Sequence, residues 1–174
     1  DGCVKRLRAI LDNLLDVTGL ETGRMRFSHK EYDFLDTTRR AIAAVADRLD
    51  ERKQTFVEDL ARGPLPALGD PDRLQRAMVH LLENAAKFTP AGGAIGVRVS
   101  KTTAGYELCV ADTGPGIPEN KLERIFEPFY QIDGSVTREH GGVGVGLAIA
   151  QRTSRGLGGE IRVASPAAEV IEGV

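Results

Sequence analysis

"RLQRAMVHLLENAAKFTP", residues 73–90, is the stretch on which the reading of this chain turns. Leu74, Met78, Leu81, Leu82 and Ala85 recur at helical spacing on one face, while Arg76, His80, Glu83, Asn84 and Lys87 gather along the other over about two turns. Asp70 can cap the segment and Pro71 suits a first helical position, so the spacing predicts a long amphipathic helix from about Pro71 to Lys87. A polar stripe of this kind is ordinarily a solvated face. Two of its members bring chemistry: the mid-helix asparagine has poor helix propensity, yet its amide oxygen suits a hard cation such as magnesium. Lys87, one turn on, offers phosphate a point charge.

Upstream, Val4, Leu7, Leu11 and Leu14, widened by Ile10, Leu15 and Val17, form a stripe suited to a coiled coil or helical bundle. So short a stripe needs a partner helix. Gly19 and Gly23 then loosen the chain and "RMRF", residues 24–27, offers a short strand. Asp36 can cap a helix running to about Lys53, with Ile42, Val45, Ala46 and Leu49 inward and the "DRLDERK" charges, residues 47–53, as its solvated surface. "QTFVEDL", residues 54–60, reads as a strand, and the stretch with Gly63, Pro64 and Pro66 as a loop.

Downstream, "AIGVRVSK" (94–101) and "YELCVAD" (106–112) alternate like paired strands. A short helix is expected near Pro118, another in "LAIAQRTS" (147–154), and a last strand in "EIRVAS" (160–165). Helices interspersed with antiparallel strand runs predict an α+β, two-layer sandwich, with one sheet carrying helices on one face.

The 174 residues, 41% hydrophobic and 28% charged, have the composition of a soluble globular protein: one domain, or one with an appendage. A net charge of −2, without any Lys/Arg block interleaved with aromatics, argues against nucleic acid. No apolar stretch approaches the roughly 18 residues of a membrane helix, and no signal-peptide pattern opens the chain. A cytoplasmic piece, or the soluble part of something larger without membrane contact of its own, is therefore expected. Cys3 and Cys109 form no CxxC and read as incidental thiols.

Three further segments bear on chemistry. In "VADTGPGIP", residues 110–118, Asp112 ends an apolar run, and Gly114 and Gly116 flank Pro115, so the chain turns where a side chain would obstruct a flat ligand. A carboxylate there can accept a hydrogen bond from an exocyclic amine such as adenine's. "RIFEPFYQ", residues 124–131, clusters Phe126, Phe129 and Tyr130 around Pro128, and the polar, glycine-rich "IDGSVTREHGG", residues 132–142, has the length of a lid. In "HGGVGVGLAIA", residues 140–150, glycines lead into an apolar helical run.

Taken in order, these pieces resemble the ATP-binding domain of sensor histidine kinases, in the ATPase group that includes gyrase, the ninety-kilodalton heat-shock chaperone and MutL. "HLLENAAKFTP" is similar to the family's N box, "ADTGPGIP" to its first glycine box, "IFEPFYQ" to its F box and "GGVGVGLAIA" to its second glycine box, with "GLGGEI" a third glycine pattern. "LRAILDNLLDVTGLETGRMRF" resembles the second helix of the dimerisation and phosphotransfer domain, a four-helix bundle across a dimer. The resemblance implies the Bergerat-type fold, with residues 1–24 from the bundle and residues 25–174 as catalytic domain. The phosphoacceptor helix is expected outside this chain, and a final strand beyond "ASPAAEVIEGV". His29 in "SHKE" lacks the Arg-Thr-Pro of an acceptor box and follows the helix, so it is set aside.

By position, the resemblance makes Asn84 the magnesium ligand, Lys87 a phosphate contact and Phe88 a flank of the nucleotide. It gives Asp112 the adenine amine, and Gly114, Gly116 and Ile117 the walls of the base pocket. Gly142, Gly144 and Gly146, followed by Leu147, would bring backbone N–H groups at a helix start to the phosphates, and Arg138 would meet the terminal one. The family commonly has asparagine where His80 stands, and threonine and leucine where Val143 and Val145 stand. A metal or phosphate contact and a structural role both stay open for His80, and Val143 removes a phosphate-binding hydroxyl, which favours weaker ATP affinity.

The implied activity is transfer of the γ-phosphoryl group of Mg-ATP to a histidine, then to an aspartate of a response-regulator receiver domain, in a homodimeric full-length kinase. Two alternatives stay open: a degenerate nucleotide-binding signalling module without kinase activity, and a hydrolysing ATPase. The latter places a glutamate where His80 stands.

Overall fold

The computed structural model describes residues 26–132 and 143–166, together with Gly19 and Ile171. The predicted bundle helix, Arg138, Gly142 and Cys3 lie outside them. Strand β1 (Lys30–Asp33) leads into helices α1 (Phe34–Ala43) and α2 (Ala46–Glu51), then strands β2 (Thr55–Leu60) and β3 (Pro66–Gly69). The long helix α3 (Pro71–Phe88) follows, then β4 (Ala94–Thr102), β5 (Gly105–Asp112), short 3-10 turns at Glu119–Lys121 and Arg124–Phe126, and helix α4 (Gly146–Gly156).

Helix α3 forms as predicted. The Asp70 carboxylate accepts the Arg73 N–H at 3.1 Å with Pro71 in the first turn, a cap worth about 1 kcal/mol. Helix α1 differs. Asp33 is its cap, accepting from Leu35 N–H at 2.8 Å, while Asp36 lies in the first turn and pairs with Arg40 at 3.3 Å. Asp33 wins because it ends an extended strand, where the Leu65 N–H also reaches its carboxylate at 3.1 Å. The helix expected to reach Lys53 is broken between Ala43 and Ala46, and Lys53 turns the chain into β2 at φ 54°.

The α+β architecture stands, but a single antiparallel sheet does not. Among the described residues two sheets form: β1 pairs antiparallel with β3, and a second sheet runs β2-β4-β5. Within it β2 lies parallel to β4, Thr55 opposite Ala94, and only β4 and β5 are antiparallel, with Ile95 opposite Asp112. Parallel neighbours need a crossover. Here that crossover contains α3. Of the expected "RMRF" strand, Arg26 and Phe27 are in no strand and Arg24 and Met25 lie outside the described residues; β1 begins at Lys30, opposite Gly69, and its partner β3 starts at Pro66, in the stretch expected to be a loop. Pro66 is tolerated because it starts an edge strand. "EIRVAS" forms no strand; its alternating pattern meets no ladder among the described residues.

The core lies between helices and sheet. Ala41, Ile42, Val45 and Leu49 from the α1–α2 segment, Met78, Leu82, Ala85 and Ala86 from α3, and Ile95 and Val97 from β4 form one buried cluster. Leu82 and Ile95 are almost wholly buried, so truncating either to alanine costs roughly 2–5 kcal/mol. Leu74 and Leu81 are only half-buried, whereas Ala77 and Ala86 are buried, because α3 packs against both α1 and α4 as well as the sheet. Among the described residues no helix is long and apolar enough to cross a membrane.

Candidate functional site

The C-terminal end of α3 is held from outside the helix. Arg52 Nη1 donates to the carbonyl oxygens of Ala86 and Lys87, each at 2.7 Å, and the buried Gln54 donates through Nε2 to Ala86 O at 3.0 Å and Thr89 O at 2.7 Å. Carbonyls that an unaided helix end leaves unsatisfied are thereby paired. Arg52 was expected on a solvated helix surface, and neither residue was singled out in the sequence. The available signal was their place between a helix and a strand, where a donor can turn back onto a neighbouring helix end.

That cap steadies Lys87 and Phe88. Partial burial holds the Lys87 ammonium below the ordinary lysine pKa, and its Nζ lies 4.7 Å from the centre of the Phe88 ring. Phe88 is partly exposed. Both residues line a cavity of about 440 Å³ with Arg52, Thr89, Pro90 and Pro115.

The turn after β5 rests on this same end. Asp112 Oδ1 accepts the Gly114 N–H at 2.8 Å, closing an Asx turn. A β-carbon on Gly114 would stand 2.5 Å from Asp112 Oδ1 and 3.3 Å from the Phe88 carbonyl oxygen, so only glycine fits. The turn is further fastened by Ser165, whose Oγ accepts the Ile117 N–H at 2.7 Å. Ser165 carried no motif signal.

The glycines before α4 meet two other predicted segments. Gly144, at φ 74°, accepts the Phe129 N–H on its carbonyl oxygen at 2.9 Å, and a β-carbon on it would lie 2.9 Å from Tyr130 O. A β-carbon on Gly146 would lie 3.4 Å from His80 Nδ1. His80 is thus packed under the start of α4 and not on an open polar stripe, its side chain only 14% exposed, with Nδ1 3.9 Å from Glu83 Oε2. Glu83 in turn pairs with Arg48 at 2.7 Å. Leu147 follows on α4, half-buried.

Two stretches far apart in sequence therefore flank the C-terminal half of α3: Lys87 and Phe88 meet the Asp112–Ile117 turn, and His80 meets the Gly144–Leu147 segment. Among the described residues no group of three or more His, Cys, Asp or Glu could hold a metal ion. Should magnesium bind here, the Asn84 amide oxygen would be a protein ligand, with water and phosphate oxygens completing its shell.

Residues 69–171 match the family described as histidine kinase-, DNA gyrase B-, and HSP90-like ATPase. The chain belongs to this ATPase family. Hybrid signal transduction histidine kinase D of Dictyostelium discoideum is 37% identical over 162 residues, covering 90% of this chain and 10% of that protein. The chain thus spans a tenth of that relative's length. Among solved structures, the mycobacterial sensor histidine kinase MprB is 32% identical with a TM-score of 0.65, covering 75% of this chain and 80% of that one. Full-length ShkA in complex with AMPPNP is 28% identical with a TM-score of 0.76, covering 88% of this chain and 31% of that one. The α+β fold is that of histidine kinase catalytic domains, and the N-box-like helix and both glycine boxes fall inside the matched span.

Proposed function

We propose that this chain is the ATP-binding catalytic part of a two-component sensor histidine kinase. Residues 25–174 form its catalytic domain and residues 1–24 the second helix of the dimerisation and phosphotransfer domain. The observation that carries the reading is the meeting of the Asp112–Ile117 turn and the start of α4 around the half of α3 that bears Asn84, Lys87 and Phe88. The family match over residues 69–171 supports it.

In this reading Asp112, whose Oδ1 is occupied by the Gly114 N–H, offers Oδ2 to the adenine amine. Gly114, Gly116 and Ile117 shape the base pocket, and Phe88 flanks the base. Lys87 draws the phosphates. Gly144, Gly146 and Leu147 present the helix start to them, and His80 lies beside it; Gly142 and Arg138 complete these contacts on the resemblance alone. Magnesium held by Asn84 supplies charge neutralisation on the polyphosphate when bound. The γ-phosphoryl group moves from the bridging oxygen of ATP to an imidazole nitrogen of a histidine on another helix, releasing ADP. That nitrogen is already a good nucleophile, so this domain needs only to position and to neutralise. Onward transfer to a response-regulator aspartate, a homodimeric parent protein and a cytoplasmic location complete the proposal. Hydrolysis is disfavoured by His80, which replaces the water-activating carboxylate, and by the engagement of Glu83 with Arg48.

The test is to join this chain to a dimerisation domain bearing its acceptor histidine and incubate it with γ-labelled ATP and magnesium. Acid-labile phosphohistidine is expected. Binding without label would favour a regulatory nucleotide-binding module, and rapid free phosphate a hydrolysing ATPase.

A further inference from the structure

The segment entering the domain is fastened to two helices at once. The Ser28 N–H donates to Asp70 Oδ2 at 2.9 Å, and Asp70 is the cap of α3. Beside it the Phe27 ring lies 5.5 Å from the Arg73 guanidinium carbon. The same ring is pressed against the last residue of α4, so closely that a β-carbon on Gly156 would overlap two of its carbons. Gly156 needs no glycine-only backbone: positive φ, 82°, occurs at Gly158, which terminates the helix. Glycine is disfavoured against alanine in a helix, so what makes it fit at 156 is the approach of Phe27.

Helices α3 and α4 pack together, and their contacts run in opposite directions. Phe27 bridges Arg73 near the start of α3 to Gly156 at the end of α4, whereas His80, further along α3, meets Gly146 at the start of α4. Phe27 ties the start of α3 to the end of α4, while the start of α4 meets the middle of α3 at His80, toward the site.

From this geometry we propose that Phe27 is a positioning residue for the nucleotide site, a wedge seated on Gly156 that sets the separation of α3 and α4. The inference rests on the proposed reading that these helices flank the nucleotide. A change in the entering segment passes through Phe27 and Ser28 into both helices, without touching the ligand. Packed side chains carry such coupling when they join rigid elements.

The test is a double-mutant cycle on this chain, with Gly156→Ala, Phe27→Ala and the pair. The dissociation constant of Mg-ATP is measured by calorimetry, and melting without nucleotide is followed in parallel. Each single variant is expected to weaken Mg-ATP binding by about fivefold. In the Phe27→Ala background the added β-carbon should change affinity less than about twofold, because the group it strikes is gone. Phe27→Leu, which refills the seat, should recover most of the affinity and guards against an unfolded Phe27→Ala chain. A role in packing alone would move the melting temperature and leave the dissociation constant in place. Equal Mg-ATP binding by wild type, Gly156→Ala and Phe27→Ala, or additive losses in the pair, overturns the proposal alone. A wild-type chain that binds no Mg-ATP overturns the nucleotide reading and takes this inference with it.

Discussion

Arg52 reaches across from the end of α2 to Lys87, its Nη1 standing 2.7 Å from the lysine's carbonyl oxygen and equally close to that of Ala86. The helix end that presents Lys87 and Phe88 is therefore closed by another element's charge. Hydrogen bonds to a charged group contribute about 1.5–3 kcal/mol. Arg52→Ala is expected to lower the melting temperature and to weaken ATP binding several-fold as the last turn frays. Melting and calorimetry together check this; unchanged values in both would show the cap to be idle.

Asp112→Asn is expected to abolish the rise in melting temperature produced by Mg-ATP. The substitution keeps an oxygen able to accept the Gly114 N–H, which the aspartate accepts at 2.8 Å, so the turn survives while the second acceptor becomes a donor. Ligand at a hundred times its dissociation constant stabilises by about 2.7 kcal/mol, enough to read easily in the wild type. A variant that keeps the full shift would refute the base-pocket assignment.

Lys87 gives a pH signature. Burial lowers its pKa in the free protein, and a polyphosphate beside it would raise that value again. Between the two values the complex holds a proton that the free protein lacks, so ATP binding should take up protons in the alkaline range and weaken as pH rises further. Calorimetry in buffers of different ionisation enthalpy detects the uptake, and Lys87→Met should remove it.

At acid pH the expectation concerns Asp70. Burial alone would raise its pKa, but the Ser28 and Arg73 N–H groups, the Ser28 hydroxyl and the Arg73 charge together bring it below the ordinary aspartate value. A depressed carboxylate contributes stability above its unfolded pKa and loses it as pH falls through the folded one. Asp70→Asn should therefore be less stable than wild type at neutral pH, the gap narrowing below about pH 4. Urea unfolding across that range measures it, and a gap constant with pH would contradict the assignment.

Most of α3 and its cap were legible because the signals are local: Asp70, Pro71 and a stripe repeating over 18 residues. The β1–β3 pair was not, since each strand has four residues and Lys30 meets Gly69 across a long stretch of chain that no window spans. The parallel register of β2 on β4 was hidden for the same reason. At the site, the N-box-like and glycine-rich stretches were readable from residue type, and the structure brings Phe88 to Gly114 and His80 to Gly146. Arg52, Gln54 and Ser165 were missed because each acts on a distant backbone, through a contact that neighbouring residues do not foreshadow.

Because β2 and β4 run side by side in the same direction, the chain must cross over between them, and the asparagine-bearing helix is the greater part of that crossover. The element that carries the candidate ligand residues is thus also the one that joins two neighbouring strands of the sheet. A descendant of this sequence could lose its chemistry one side chain at a time, but it could not discard the rod that displays that chemistry without forfeiting the domain.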